Sequence, residues 1–122
     1  MMISISAITV DCSDPDALAT FWAQLLGYER VHEDDDEVAI AASDRTGPEL
    51  SFFRVRDGKA TKNRLHLDLA PDDQASEVER AKSLGATEVD IGQGDVSWVV
   101  LADPEGNEFC ILSRREPDAS AS

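Results

Sequence analysis

Apolar and polar positions change period several times along this chain, and the changes mark its elements. Residues 3–11, ISISAITVD, alternate and predict a strand. Ser13-Asp14-Pro15-Asp16 follows, with an Asp cap, Pro at the first helical position and an acid at the positive end of the helix dipole. Ala17, Leu18, Phe21, Trp22, Leu25 and Leu26 then recur at helical spacing until Gly27, a C-terminal stop. These signals predict a helix over 14–26. Tyr28 to Val31, Glu37 to Ala42 and Glu49 to Val55 predict three short strands, parted by the acidic stretch Glu33 to Glu37 and the loop Ser43 to Pro48.

The same order then restarts. Asn63 to Leu69 alternates, and Pro71-Asp72-Asp73 opens a second helix over 73–84, with Ala75, Val78, Ala81 and Leu84 on its apolar side and Gly85 as its stop. Thr87 to Ile91, Ser97 to Leu101 and Glu108 to Leu112 predict three more strands, and Asp103-Pro104-Glu105-Gly106-Asn107 has the turn chemistry for the last hairpin. Both halves read β-α-β-β-β. Placing Gly27 on Gly85 and Ala7 on His66 needs one deletion, inside the second helix. The fold class is therefore α+β, built from a repeated module. One domain is expected over 1–113, with module one at about 3–55, module two at about 63–113, a polar link at 56–62 and a flexible tail at 114–122. Each half alone is too small to bury both its helix and its sheet, whereas two packed together can.

Charge narrows the partners. The 122 residues carry 25 acidic against 11 basic side chains, a net charge of −14, which argues against a nucleic-acid partner and against docking on anionic lipid. The longest apolar run, Trp98 to Ala102, is too short to span a bilayer, and the first six residues lack the basic and apolar regions of a signal peptide. Two cysteines, Cys12 and Cys110, do not make a disulfide framework. A cytoplasmic protein with an acidic, solvated surface is expected.

Three runs carry a family likeness. DPDALATFWAQLLGYE resembles the first helix of the vicinal-oxygen-chelate superfamily, with its Asp cap, aromatic pair and Leu-Gly-aromatic end. NRLHLDL and SWVVLADPEGNEFCIL are similar to the glyoxalase-like domain branch of that superfamily, and the likeness extends over roughly residues 3 to 113. The superfamily includes glyoxalase I, extradiol dioxygenases, fosfomycin-modifying enzymes and bleomycin-binding resistance proteins. The resemblance implies paired β-α-β-β-β modules whose curved mixed sheets enclose a ligand cavity. It also implies a homodimer, because relatives commonly pair modules across chains.

The resemblance further implies a divalent metal held from four positions, on the first and last strand of each module. Those positions are Ala7 and His66 on the first strands, Phe53 (with Ser51 one pleat away) and Cys110 on the last. Only His66 is a usual ligand; Ala7 and Phe53 offer no donor, so no metal or other cofactor is expected at the family position. Asp68 and Glu108, which share strand faces with His66 and Cys110, are the candidates for making up the shortfall.

Strand parity supplies the site. Leu65, Leu67 and Leu69 alternate with His66 and Asp68, so leucines packed on a helix turn His66 and Asp68 to the other side of the sheet. There the pair either recognises a ligand or serves as hydrogen-bonded structure in a half-polar interior. Thr9 holds the matching place in module one, Cys110 should turn inward because Phe109 and Ile111 are the better helix-packing residues, and Trp98 offers an apolar wall suited to a flat ligand. His66, Asp68, Thr9, Trp98 and Cys110 are thus the expected ligand-binding set, while His32, beside the acidic stretch, reads as a surface residue. Three functions compete: a metal-free small-molecule-binding protein, a lyase or dioxygenase with an atypical metal site or His66 as its base, and a scaffold or regulatory partner whose cavity is vestigial.

Overall fold

In the computed structural model, residues 2, 5–56, 66–89 and 97–113 are described. The chain divides into two compact units, Met1–Ala60 and Thr61–Ser122. Unit one contains β1 (Ala7–Cys12), α1 (Pro15–Leu26), β2 (Glu29–Glu33), β3 (Glu37–Ala41) and β4 (Glu49–Arg54). Unit two contains β5 (Leu67–Leu69), α2 (Gln74–Leu84), β6 (Thr87–Glu88), β7 (Val99–Ala102) and β8 (Glu108–Ile111). The two sheets have the orders β1-β4-β3-β2 and β5-β8-β7-β6, so each module's first strand lies beside its last. That pair is parallel in both modules, β1 with β4 and β5 with β8, and the other neighbours are antiparallel. The fold is α+β with two mixed four-stranded sheets on one repeated topology.

The helix ends follow the sequence signals closely. Asp14 caps α1 by accepting from the Ala17 N–H at 3.2 Å, Pro15 occupies the first turn, and Gly27 closes the helix at φ 72°. Asp73 caps α2 through the Ser76 N–H at 3.3 Å and also accepts from the Ser76 hydroxyl. The Tyr28 N–H still bonds to Ala23 O of the helix, at 2.9 Å, which delays β2 by one residue from its expected start. β7 starts at Val99, two residues later than expected, and the Ser97 carbonyl before it accepts from Gln74 Nε2 of α2. Expected strand residues 3–4, 63–65 and 90–91, the linker from 57 on and the tail 114–122 fall outside the described residues.

The helix sides of the sheets are set by side chains that bridge to the helices. Arg30, opposite Ile40, donates to Asp16 O and Thr20 Oγ1 of α1, so Ile40, Leu50 and Phe52 face that helix. Leu18, Phe21, Trp22 and Leu25 are buried against this side, with the Phe21 and Trp22 rings edge to face at 5.2 Å. In module two, Lys82 of α2 pairs at 2.9 Å with Glu88, which stands opposite Leu101. Leu101, Phe109 and Leu67 are therefore on the α2 side. The central strands are nonetheless buried on both faces: Ala39, Ser51, Val100 and Cys110, on the sides away from the helices, are as hidden as their neighbours.

The β2–β3 turn is organised by Asp34, whose Oδ1 accepts from the N–H groups of Asp36 and Glu37 at 2.8 and 2.9 Å. Its Oδ2 meets His32 Nε2 at 2.8 Å. That hydrogen bond holds the imidazole above its ordinary pKa and the carboxyl of Asp34 below its own.

Candidate functional site

Register places the expected residues. Asp68 stands opposite Cys110, Leu67 opposite Phe109 and Leu69 opposite Ile111, so the alternation read from the sequence holds across the β5–β8 pair. Asp68 and Cys110 share the side of the sheet away from α2, and Val100 of β7 lies opposite Cys110 on that same side. His66, immediately before β5, brings its Nδ1 to 3.0 Å from Asp68 Oδ1. Their side chains are 43% and 49% exposed, whereas Cys110 is only 7% exposed. The His66, Asp68 and Cys110 ligand atoms lie within 4.8 Å of one another. Trp98, just before β7, is partly exposed. Thr9 lies in β1 of module one, exposed and opposite Ser51. Leu65 and Arg64 fall outside the described residues.

Chemically, the site joins a hydrogen-bonded imidazole and carboxylate to a buried thiol. In the neutral ring, donation from Nδ1 to Asp68 leaves Nε2 with a lone pair for a ligand proton. The pair is thus equipped to accept one hydrogen bond and to fix ring orientation.

Register also corrects one expected position. Thr9 lies five residues before the cap Asp14, and Asp68 lies five before the cap Asp73, so the two are counterparts. Thr9 stands opposite Ser51 and Asp68 opposite Cys110, which makes Ser51, not Phe53, the counterpart of Cys110. The error is one pleat, invisible in a strand where both Ser51 and Phe53 point the same way. Ser51 is buried, and its hydroxyl donates to Glu37 Oε2.

Ala7 ends in a methyl group, and Ser51 offers a neutral hydroxyl already engaged with Glu37. Two of the four family positions therefore provide no metal donor, and the residues do not fit that four-position set. Within module two a different trio gathers, His66, Asp68 and Cys110.

Two β-α-β-β-β modules, each with a parallel first-to-last strand pair, define the class of fold, and comparison gives it a family. Residues 7–112 match the model of the glyoxalase-like domain, and the chain belongs to that family, within the glyoxalase and bleomycin-resistance superfamily. Among curated protein sequences, none matches significantly. Similar solved structures include a glyoxalase/bleomycin resistance protein/dioxygenase family enzyme from Burkholderia phytofirmans, 18% identical with a TM-score of 0.70 over 87% of this chain and 94% of that one. The fosfomycin resistance protein FosX from Listeria monocytogenes aligns with a TM-score of 0.73 at 16% identity, over 98% of this chain and 97% of its own. FosX from Mesorhizobium loti aligns over the full length of both chains at 15% identity and a TM-score of 0.70. At these identities the likeness is one of fold. No helix among the described residues is long and apolar enough to cross a membrane.

Proposed function

We propose that this chain is a cytoplasmic glyoxalase-like protein that binds a small organic molecule without the family metal, its two modules working as one domain. The observation that carries the reading is the His66–Asp68 pair, hydrogen-bonded at 3.0 Å, half exposed and seated beside buried Cys110. A polar pair held ready at the exposed β5 edge of the sheet is suited to orienting a ligand, and the partly exposed Trp98 indole, two residues before the Val100 that stands opposite Cys110, supplies an aromatic surface. Thr9, the counterpart of Asp68, offers module one a hydroxyl for a ligand at the same place in its own sheet. A relative of the same fold supports small-molecule binding: a point mutant of FosX from Listeria monocytogenes was solved with 1S,2S-dihydroxypropylphosphonic acid, there together with Mn(II).

The test starts from a ligand found by thermal-shift screening. His66→Ala and Asp68→Ala are expected to weaken its binding by about 1–3 kcal/mol, roughly 5- to 150-fold, against no change for the exposed control Asp72→Ala. Equal affinities in all three variants would remove the pair from the site. A second reading, a metal-dependent lyase or dioxygenase, is favoured by the three donors within 4.8 Å. Metal analysis of protein purified without added metal separates the two. Stoichiometric zinc, nickel, iron or manganese, lost on His66→Ala and not on His32→Ala, would replace the first reading by the second.

The assembly we propose is a homodimer. Each sheet ends in two edge strands, β1 and β2 or β5 and β6, and pairing or covering such edges is a common gain from association. Light scattering at micromolar concentration is expected to report twice the chain mass; a monomer would overturn the assembly.

A further inference from the structure

We propose that His32, Asp34 and Glu37 form a second site, on the β2–β3 hairpin of module one, that binds a divalent transition ion of the zinc type. Three ligand atoms converge there: His32 Nε2 is 2.8 Å from Asp34 Oδ2 and 3.9 Å from Glu37 Oε1, and all three lie within 4.8 Å of one another. Ligand atoms on a tetrahedral zinc with bonds near 2.1 Å stand about 3.4 Å apart, so the two measured separations bracket the spacing an ion requires.

A register shift in β2 brings the imidazole to this place. Arg30 pairs with Ile40, and unbroken pairing would set residue 32 against Val38, on the α1 side of the sheet. The irregularity between Arg30 and His32 sets His32 against Ala39 instead, on the side that carries Ser51 and Glu37. One extra residue thus turns His32 away from α1 and Glu33 toward it, and bulges recur where a strand re-aims side chains at functional places. Asp35 and Asp36, equally acidic and in the same turn, contribute no atom to the trio.

The carboxylates are oriented as well as near. Asp34 commits Oδ1 to the Asp36 and Glu37 N–H groups, which leaves Oδ2 toward His32. Glu37 commits Oε2 to the Ser51 hydroxyl, from a buried residue on the neighbouring strand, which leaves Oε1 toward the same imidazole. Outer hydrogen bonds of this kind fix ligand geometry in metal sites. One imidazole nitrogen with two carboxylate oxygens suits zinc, nickel or cobalt better than magnesium or calcium, which favour all-oxygen shells. His32 and Asp34 are more than half exposed, so an ion can enter and water can complete its shell.

Equilibrium dialysis of chelator-stripped protein against zinc, with cobalt(II) as a spectroscopic substitute, tests this site separately from His66. Wild type and His66→Ala are each expected to retain a zinc equivalent that His32→Ala and Glu37→Gln lose. Ser51→Ala, which removes only the outer hydrogen bond, should weaken binding by about tenfold or more. Cobalt at this site should give the weak visible bands of nitrogen and oxygen donors, without the intense near-ultraviolet band of a cobalt thiolate. Circular dichroism confirming that His32→Ala and Glu37→Gln are folded ties the losses to the ligands. Absence of saturable binding, retention in both hairpin variants, or a thiolate band abolished by His66→Ala with no other site filled would each overturn the proposal.

Discussion

Truncating Phe52 to alanine is expected to destabilise the protein by about 3–5 kcal/mol, whereas truncating its neighbour Phe53 should cost no more than roughly 0.5 kcal/mol. The two rings are adjacent on β4 and point to opposite sides of the sheet. Phe52 is 1% exposed, stands between Val10 of β1 and Val38 of β3, and faces α1, whereas Phe53 is 41% exposed. β4 is an inner strand, so Phe52 has neighbours on both sides and a helix above it; the space it leaves cannot close without moving several elements. A loss of that size is a large fraction of the 5–15 kcal/mol typical of natural domains. Urea denaturation followed by circular dichroism checks the pair. Equal costs, or a greater cost for Phe53→Ala, would mean that the faces of β4 have been assigned the wrong way round.

What could be read from the sequence was whatever depended on local chemistry. Asp14, Pro15 and Gly27, and again Asp73 and Gly85, bound the helices because caps and left-handed stops act through backbone groups within one turn. Leu67 and Leu69 were assignable to the helix side by alternation alone, and with them His66 and Asp68 to the other. What could not be read depended on pairing between strands. Ser51 and Phe53 point the same way, so only the register with β1 shows which of them answers to Cys110. His32 looked like one polar residue among many because the shift that turns it toward Glu37 leaves no mark in composition or period. A His-x-Asp-x-x-Glu spacing was available as a signal, but without the shift it would have put His32 on the helix side.

The repeat also explains how one topology carries two chemistries. Counted from the helix caps, Ala7 and Thr9 stand where His66 and Asp68 stand, and register pairs Ser51 with Cys110 in the same frame. One step further along, Glu37 lies two residues before Ala39, which pairs with Ser51, as Trp98 lies two before Val100, which pairs with Cys110. Module two therefore places its imidazole just before the first strand, its carboxylate on that strand and an indole just before the third. Module one has Ala7 and Thr9 at the matching places and carries its imidazole, with two carboxylates, on the hairpin of its second and third strands. Substitution at the two modules' shared positions changes the chemistry while the buried helix-side residues keep the sheet.

Replacing Asp103 with alanine should loosen the β7–β8 hairpin and cost about 2–4 kcal/mol, because a buried carboxylate that accepts several hydrogen bonds leaves its donors unpaired. Asp103 is buried, and its Oδ1 accepts from the N–H groups of Glu105 and Asn107, each at 2.9 Å. The Asn107 side-chain amide adds bonds to both carboxylate oxygens at 3.2 and 3.1 Å. The main chain closes the same turn through Asp103 N–H to Asn107 O and Gly106 N–H to Asp103 O, with Gly106 at φ 87°. The Asp-Pro-Glu-Gly-Asn run is thus a structural device, and its reach is functional because the strand that leaves it is β8, which carries Cys110 opposite Asp68. Asp103→Asn keeps one acceptor oxygen but sets an amide against the Asn107 amide, so its loss should fall between wild type and Asp103→Ala. Hydrogen exchange at the Glu105 and Asn107 amides, read alongside denaturation, checks the mechanism: both amides should lose protection in Asp103→Ala before the strands do. Wild-type stability within roughly 0.5 kcal/mol, or unchanged exchange at those two amides, would show that the main-chain bonds alone hold the turn.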